Sequence, residues 1–94
     1  MPAYMIAEMT VTDPAAYEAY KAAASEVIAR YGGRYVVRGG RGAALEGAGP
    51  NRVVVVEFDS VEAAQRWYQS DDYQAARKLR DGAAEGCLFV VEGL

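Results

Sequence analysis

Six segments with regular spacing of apolar residues constrain the fold of this 94-residue chain most strongly. Four have the alternating or continuous apolar character of β-strands, over residues 3–11, 34–38, 52–58 and 87–92. The other two have helical spacing: one from Pro14 to about Tyr31, and one that follows Ser60, breaks at Ser70 and resumes to about Arg80. The order strand, helix, strand, strand, helix, strand is that of the ferredoxin-like βαββαβ fold. Residues 1–94 are therefore predicted to form one α+β domain, a four-stranded antiparallel sheet with two helices on one face.

Capping and turn residues set the predicted boundaries of these elements. The residues predicted to cap the helical segments are Asp13, Ser60 and Ser70. Gly32 is placed to end the first helix. Residues 47–51 contain two glycines and a proline and predict a turn, and Gly82 and Gly86 are expected to bracket a linker before the last strand.

The alternation of side chains assigns each strand residue to one of two sheet faces. The first face carries no charge and is expected to pack on the helices: Met5, Ala7, Met9, Val11, Tyr35, Val37, Val54, Val56, Phe58, Cys87, Phe89 and Val91. The second face contains Tyr4, Ile6, Glu8, Thr10, Arg34, Val36, Arg38, Val53, Val55, Glu57, Leu88, Val90 and Glu92. Its apolar residues are too many to be left in water, so the pattern predicts a homodimer in which two sheets face each other.

Composition excludes several classes of function. The chain has no histidine and one cysteine, Cys87, so it cannot form a Ser-His pair, a histidine-ligated zinc or haem site, or a thiolate cluster. We therefore expect no metal and no cofactor. A net charge of −3 argues against nucleic acid as a partner. No apolar run reaches membrane-spanning length, and the single cysteine, expected to be an inert core residue, is consistent with a cytoplasmic protein.

Three carboxylates on the second face are candidates for a general base: Glu57, Glu8 and Glu92. Arg34 begins its strand and Glu57 ends the neighbouring strand, so these two are expected to lie close together. Glu8 and Arg38 are expected at the opposite end of the sheet. Such pairs either close the ends of the dimer or line a polar pocket in which an arginine binds an anionic or carbonyl group.

A second group of candidates for ligand binding lies on the helices and in one loop. Tyr73, Arg77 and Arg80 share a helix face and together could clamp a carboxylate or phosphate, or pair with acidic residues at the surface. The other candidates are Tyr20 and Tyr68, each of which could point a phenol into a pocket, and Glu46, which could serve as an acid–base group or a salt bridge between subunits.

Several short motifs together resemble one known family. They are Tyr-Gly-Gly-Arg-Tyr at 31–35, Arg38-Gly-Gly, Leu45-Glu-Gly, residues 55–60, 63–70 and 73–80, and Val-Glu-Gly at 91–93. In this order and spacing they resemble the family called domain of unknown function 1330 over essentially the whole chain. The resemblance implies a dimeric α/β barrel and supplies no reaction. The wider superfamily contains cofactor-free monooxygenases and enzymes that process small lactones or muconates.

Three functions remain open on the sequence alone. The first is a protein that binds a small organic, anionic molecule at the sheet or dimer interface through residues such as Arg38. The second is a cofactor-independent enzyme, similar to a monooxygenase or an isomerase, that uses a glutamate base. The third is a purely structural homodimer.

Overall fold

The computed structural model describes residues 1–49 and 51–94 of the chain. The elements in order are β1 (Ala3–Val11), α1 (Pro14–Arg30), β2 (Arg34–Arg38), β3 (Arg52–Phe58), α2 (Val61–Gln69), α3 (Asp71–Lys78) and β4 (Ala84–Glu92). The strands form one antiparallel sheet in the order β2-β3-β1-β4, and the helices cover one of its faces. This confirms the predicted ferredoxin-like fold. Pro50, part of the predicted turn at 47–51, lies outside the described residues.

Side-chain caps begin each helix where the sequence predicts. The Asp13 side chain accepts a hydrogen bond from the backbone N–H of Ala16. In the same way, the Ser60 and Ser70 side chains each accept a hydrogen bond from the backbone N–H of the residue three positions later. At the end of α1, Gly32 adopts a φ of 80°, a conformation that glycine tolerates without steric cost.

The hydrophobic core lies between the sheet and the helices. Its buried residues are Met5, Ala7, Met9, Ala24, Val27, Ile28, Val56, Phe58, Ala64, Trp67 and Tyr73. The predicted inward faces of β1 and β3 are thus confirmed. The aromatic rings pack closely, with the Trp67 centroid 4.3 Å from that of Tyr73 and 5.5 Å from that of Phe58.

The predicted faces of β4 are reversed. Val90 pairs with Met5 and Leu88 pairs with Ala7, so Val90 and Leu88 pack against the core. Phe89 and Cys87 lie on the opposite face, and Cys87 is exposed rather than buried. The strand also begins earlier than predicted, at Ala84, so the expected linker glycine Gly86 lies inside it. Both faces of β4 are apolar, so polarity alone does not show which face is buried.

A β-bulge in β2 changes the predicted face of Arg38. Tyr35 pairs with Val56, and Val37 pairs with Val55, the neighbouring residue of β3. Two steps along β2 therefore correspond to one step along β3, and Val36 is the inserted residue. The insertion reverses the alternation beyond it. Arg38 pairs with Val54 and therefore lies on the helix side of the sheet, not on the second face where strict alternation places it.

The sheet face without helices carries an apolar row across all four strands. The register aligns Val37, Val55, Ile6 and Phe89 side by side in the order of the strands. Phe89 is 50% exposed in the single chain. The Cα trace measures 32 × 31 × 16 Å, so this uncovered face is wide compared with the thickness of the molecule.

We expect Gly86→Ala to destabilise the fold. A Cβ atom at Gly86 would overlap the carbonyl oxygen of Glu8 on the neighbouring strand, where a backbone atom cannot rotate away. The free energy of unfolding should fall by roughly 1–3 kcal/mol, as in other overpacked sites. Urea denaturation measures this value, and Gly40→Ala is the control because no atom lies within 4 Å of the added Cβ. Equal stability of the two variants would contradict the prediction.

Candidate functional site

A small cavity lies between α1 and the helix side of the sheet. Its volume is about 30 Å³. Its polar lining comes from α1 and from the strand ends that flank the β2–β3 loop: Tyr17, Tyr20, Lys21, Ser25, Tyr35, Arg38 and Arg52. Its apolar lining comes from the core: Met5, Ala7, Met9, Ala24, Ile28, Val54 and Leu88.

Arg38 reaches this cavity because of the bulge in β2. Its Nη2 donates a hydrogen bond of 2.7 Å to Ser25 Oγ, and its guanidinium lies 4.3 Å from the centroid of the Tyr35 ring. The hydroxyls of Ser25 and Tyr35 are themselves 3.2 Å apart. These contacts hold the Arg38 guanidinium against α1. Among residues 1–49 and 51–94, no carboxylate forms a salt bridge with it.

Arg52 approaches the same cavity from the start of β3. Its guanidinium carbon lies 5.5 Å from the centroid of the Tyr17 ring, and its Nε is buried with no hydrogen-bond partner among residues 1–49 and 51–94. The side chain also packs against Gly39, where any Cβ atom would overlap the guanidinium. Glycine at 39 thus leaves the room that the Arg52 side chain occupies.

A pair of phenols lies beside the cavity. The hydroxyl oxygens of Tyr20 and Tyr73 are 3.0 Å apart, and the Arg80 guanidinium lies 5.3 Å from the Tyr20 ring centroid. Burial, together with the neighbouring Tyr73 phenol, raises the pKa of Tyr20 well above its ordinary value. Burial also raises the pKa of Tyr73. Both groups are therefore neutral hydroxyls near pH 7, able to donate hydrogen bonds.

Because both pKa values are raised, the folded state should lose stability at high pH. In the unfolded chain these tyrosines ionise near the ordinary pKa of about 10, whereas the folded state keeps their protons. Their contribution is therefore complete below about pH 10 and declines as the pH rises towards the folded-state values. We expect Tyr20→Phe to flatten this decline in the free energy of unfolding, measured by urea denaturation at each pH. The exposed Tyr31→Phe is the control, and identical slopes for Tyr20→Phe and wild type would contradict the interpretation.

The structure brings together some of the candidate residues of the helices and separates others. Tyr73 and Arg80 both contact Tyr20. Arg77 does not join them: its Nε donates to Gln74 Oε1 at 2.9 Å and it pairs with Asp81 at 3.8 Å. Of the three residues predicted to share a face, Tyr73 and Arg80 thus meet at Tyr20, and Arg77 forms a surface pair with an acidic residue, the alternative given by the sequence analysis.

The remaining candidates of this group lie elsewhere. Tyr68 contacts Tyr73 but lines a separate cleft of about 270 Å³ between α2 and β4, together with Met5, Ala64, Gln65, Trp67, Gln69, Leu88, Phe89 and Val90. Glu46 lies in the exposed β2–β3 loop.

The three candidate carboxylates do not lie in the cavity and do not lie together. Glu57 is on the open sheet face, 3.6 Å from Arg34, which confirms the expected proximity of these two residues. Arg34 also pairs with Asp59 at 3.4 Å. Glu8 is at the other end of the open face. Glu92 pairs with the buried Ala3, so it lies on the helix side of the sheet and not on the second face as predicted, and it is exposed at the end of β4.

Arg52 and Ser25 are cavity residues that the sequence analysis did not select. Ser25 lies one and two turns from Lys21 and Tyr17 on α1, so helical spacing could have placed it on their face. Arg38 is the last residue of β2 and Arg52 is the first residue of β3, so the two flank the same loop. That position could have identified Arg52 as a neighbour of Arg38.

No helix in residues 1–49 or 51–94 is both long and apolar enough to cross a membrane. Over the same residues, no three histidine, cysteine, aspartate or glutamate side chains cluster in a way that could hold a metal ion.

Comparison with protein families gives a match over nearly the whole chain. The family described as a domain of unknown function, DUF1330, matches residues 2–94. The chain belongs to the DUF1330 family. None of the curated proteins searched matches it.

Solved structures similar to this DUF1330 protein share its fold. A protein of unknown function from Rhodopseudomonas palustris is 25% identical, with a TM-score of 0.80 over 99% of this chain and 82% of the other. SnoaB, a cofactor-independent oxygenase from Streptomyces nogalater, is 14% identical, with a TM-score of 0.72 over 99% and 93%. A dimeric protein of unknown function and ferredoxin-like fold from Bacteroides fragilis is 14% identical, with a TM-score of 0.68 over 98% and 96%.

Proposed function

We propose that this DUF1330 protein is a homodimer that binds a small organic anion in the cavity between the sheet and α1. The observation that carries the proposal is the pair of guanidinium groups at the cavity. Arg38 and Arg52 both line it, and neither forms a salt bridge with any carboxylate of residues 1–49 and 51–94. Arg52 is partly buried, and a partly buried positive charge without a salt bridge is costly, so a bound anion would offset that cost. Arg38 is exposed and would supply a second positive charge at the same cavity.

The tyrosines around the cavity support the same function. The Tyr35 ring contacts the Arg38 guanidinium, and the Tyr17 ring contacts that of Arg52. Cation–π contacts orient a guanidinium but leave its N–H donors free and its charge intact. An arginine held in this way can still bind an acidic ligand. An arginine that is paired with a carboxylate of the protein must first release that carboxylate.

The open sheet face supports the homodimer. The apolar row of Val37, Val55, Ile6 and Phe89 has no cover in the single chain. A second copy would bury the row against its own by two-fold symmetry. A structurally similar protein from Bacteroides fragilis is described as dimeric.

A cofactor-independent enzyme is a second candidate, favoured by one feature of the open face. Glu8 lies there between Val53 and Cys87 and forms no salt bridge among the described residues, unlike Glu57. Enclosed between two sheets, such a carboxylate would be desolvated, which favours a general base. SnoaB, which shares the fold, is a cofactor-independent oxygenase. This function would place the chemistry on the dimer side of the sheet, away from Arg38 and Arg52.

Native mass spectrometry and a ligand panel test the proposal together. We expect the mass of two chains, and an increase in melting temperature with small aromatic and aliphatic acids but not with their amides. Amides have the same shape without the negative charge, so they separate charge recognition from simple packing. A monomer would contradict the proposed dimer. No response to any acid would contradict the binding function and leave a structural homodimer as the better explanation.

A further inference from the structure

The small size of the cavity restricts which part of a ligand can enter it. A volume of about 30 Å³ accommodates roughly one or two water molecules, not a whole organic molecule. Two carboxylate oxygens need a comparable space. The geometry points to a carboxylate subsite: a small monocarboxylate enters carboxylate first, its charge lies between Arg38 and Arg52, and its body stays at the mouth. This inference rests on the proposed binding function and specifies the chemical group that the cavity recognises.

The free N–H donors of the two arginines that line the cavity suit a planar anion with two oxygens. Arg52 has a buried Nε–H with no partner in residues 1–49 and 51–94, beside its two terminal nitrogens. Nη2 of Arg38 donates a hydrogen bond to Ser25 Oγ. The other N–H groups of Arg38 form no hydrogen bond within the same residues. A guanidinium presents parallel N–H donors that match the spacing of carboxylate oxygens. Two such groups at one small cavity make a site for a single carboxylate.

The other polar groups of the cavity argue against a larger or more highly charged anion. Lys21 is already paired with Glu18 at 2.8 Å, so it adds little uncompensated charge. Tyr20 is neutral and can donate one hydrogen bond, to Tyr73 or to a ligand. A phosphate dianion has four oxygens and a larger desolvation cost, which two guanidinium groups in this volume would not meet. The site is therefore expected to select carboxylate over phosphate.

The mouth of the cavity determines where the rest of the ligand lies. Arg38 is exposed, whereas Arg52 is partly buried, so the opening is on the Arg38 side. The loop of residues 39–51 leaves the sheet at Arg38 and returns at Arg52. The ligand body would thus lie beside this loop, whose residues are exposed wherever they are described. The carboxylate group should then contribute most of the specificity, and the body comparatively little.

Competition among acetate, benzoate and inorganic phosphate tests the inference. Acetate and benzoate should perturb the same backbone amide signals near Arg38 and Arg52 in NMR titrations and should compete for one site. Arg52→Gln and Arg38→Gln should each weaken both by about tenfold or more, the size expected for losing a hydrogen bond between charged groups. Arg66→Gln removes an exposed arginine on α2 and is the matched control that should leave both affinities unchanged.

The possible outcomes separate this inference from the proposed function. If benzoate binds and depends on Arg38 but acetate does not compete, the carboxylate does not occupy the cavity, and only the inference fails. If phosphate competes for the site as strongly as acetate does, the subsite binds anions in general, and the predicted selectivity for carboxylate over phosphate is wrong. If neither carboxylate binds and the acid panel is also negative, the proposed function itself fails. Melting temperatures of the variants confirm that each one is folded.

Discussion

Replacing Phe89 by lysine is expected to convert the proposed homodimer into monomers. Phe89 is 50% exposed in the single chain and lies at the end of the apolar row formed with Ile6, Val55 and Val37. In a two-fold interface every substitution occurs twice, so two ammonium groups would be placed in the apolar contact. Burying them without partners costs several kcal/mol each, which opposes association of the two chains. Sedimentation analysis measures the change in mass.

The control for this experiment is lysine at an apolar residue of similar exposure on the other side of the molecule. Leu79 is 47% exposed and follows α3 on the helix layer. Leu79→Lys should remain dimeric, and circular dichroism should show native secondary structure for both variants. A Phe89→Lys protein that keeps the mass of two chains would place the interface elsewhere and would remove the support for the enclosed position of Glu8.

The second large effect is expected for Trp67→Ala. Trp67 is 1% exposed, and its ring centroid lies within 4.3–6.1 Å of those of Tyr73, Phe58 and Tyr68. Truncation removes the largest side chain of the core and leaves a cavity that the sheet cannot fill. The free energy of unfolding should fall by about 3–5 kcal/mol, a large part of the roughly 5–15 kcal/mol typical of a domain.

Urea denaturation at one fixed protein concentration measures this loss, because the stability of the proposed dimer would depend on concentration. The neighbouring residue provides the control, since Tyr68 is 38% exposed and lies at the edge of the same aromatic group. Tyr68→Ala should cost clearly less than Trp67→Ala. A similar loss of unfolding free energy in the two variants would mean that stability depends on the cluster of aromatic rings as a whole and not on the burial of Trp67.

The predicted fold was correct where local chemistry determines structure. Asp13, Ser60 and Ser70 cap their helices. The alternation in β1 and β3 identifies the buried faces because Glu8 and Glu57 lie on the open side, and the helix side is apolar except for Arg52 at the start of β3. In β4 that signal is missing. Phe89 and Val91 on one side are as apolar as Leu88 and Val90 on the other, so the buried face follows from the register with β1 and not from composition.

The cavity was only partly predictable for a related reason. Tyr20 and Tyr73 are far apart in sequence, and their contact depends on how α1 and α3 pack, which helical spacing does not specify. The bulge at Val36 moved Arg38 to the other side of the sheet from the predicted one. Arg52 shares a face with Val54 and Val56 by alternation and pairs with the buried Met9, so the pattern of β3 already places it on the helix side, although the sequence analysis did not select it.

The bulge at Val36 also affects how sequences of DUF1330 proteins are compared. Because one inserted residue decides whether Arg38 lies on the cavity side of the sheet or on its open face, two chains that both have arginine here need not use it in the same way. The number of residues between Gly33 and Gly39 then carries functional information that residue identity does not. A relative one residue shorter in this segment would lose a cation from its cavity and gain one on its open sheet face, through a deletion that leaves every aligned side chain unchanged.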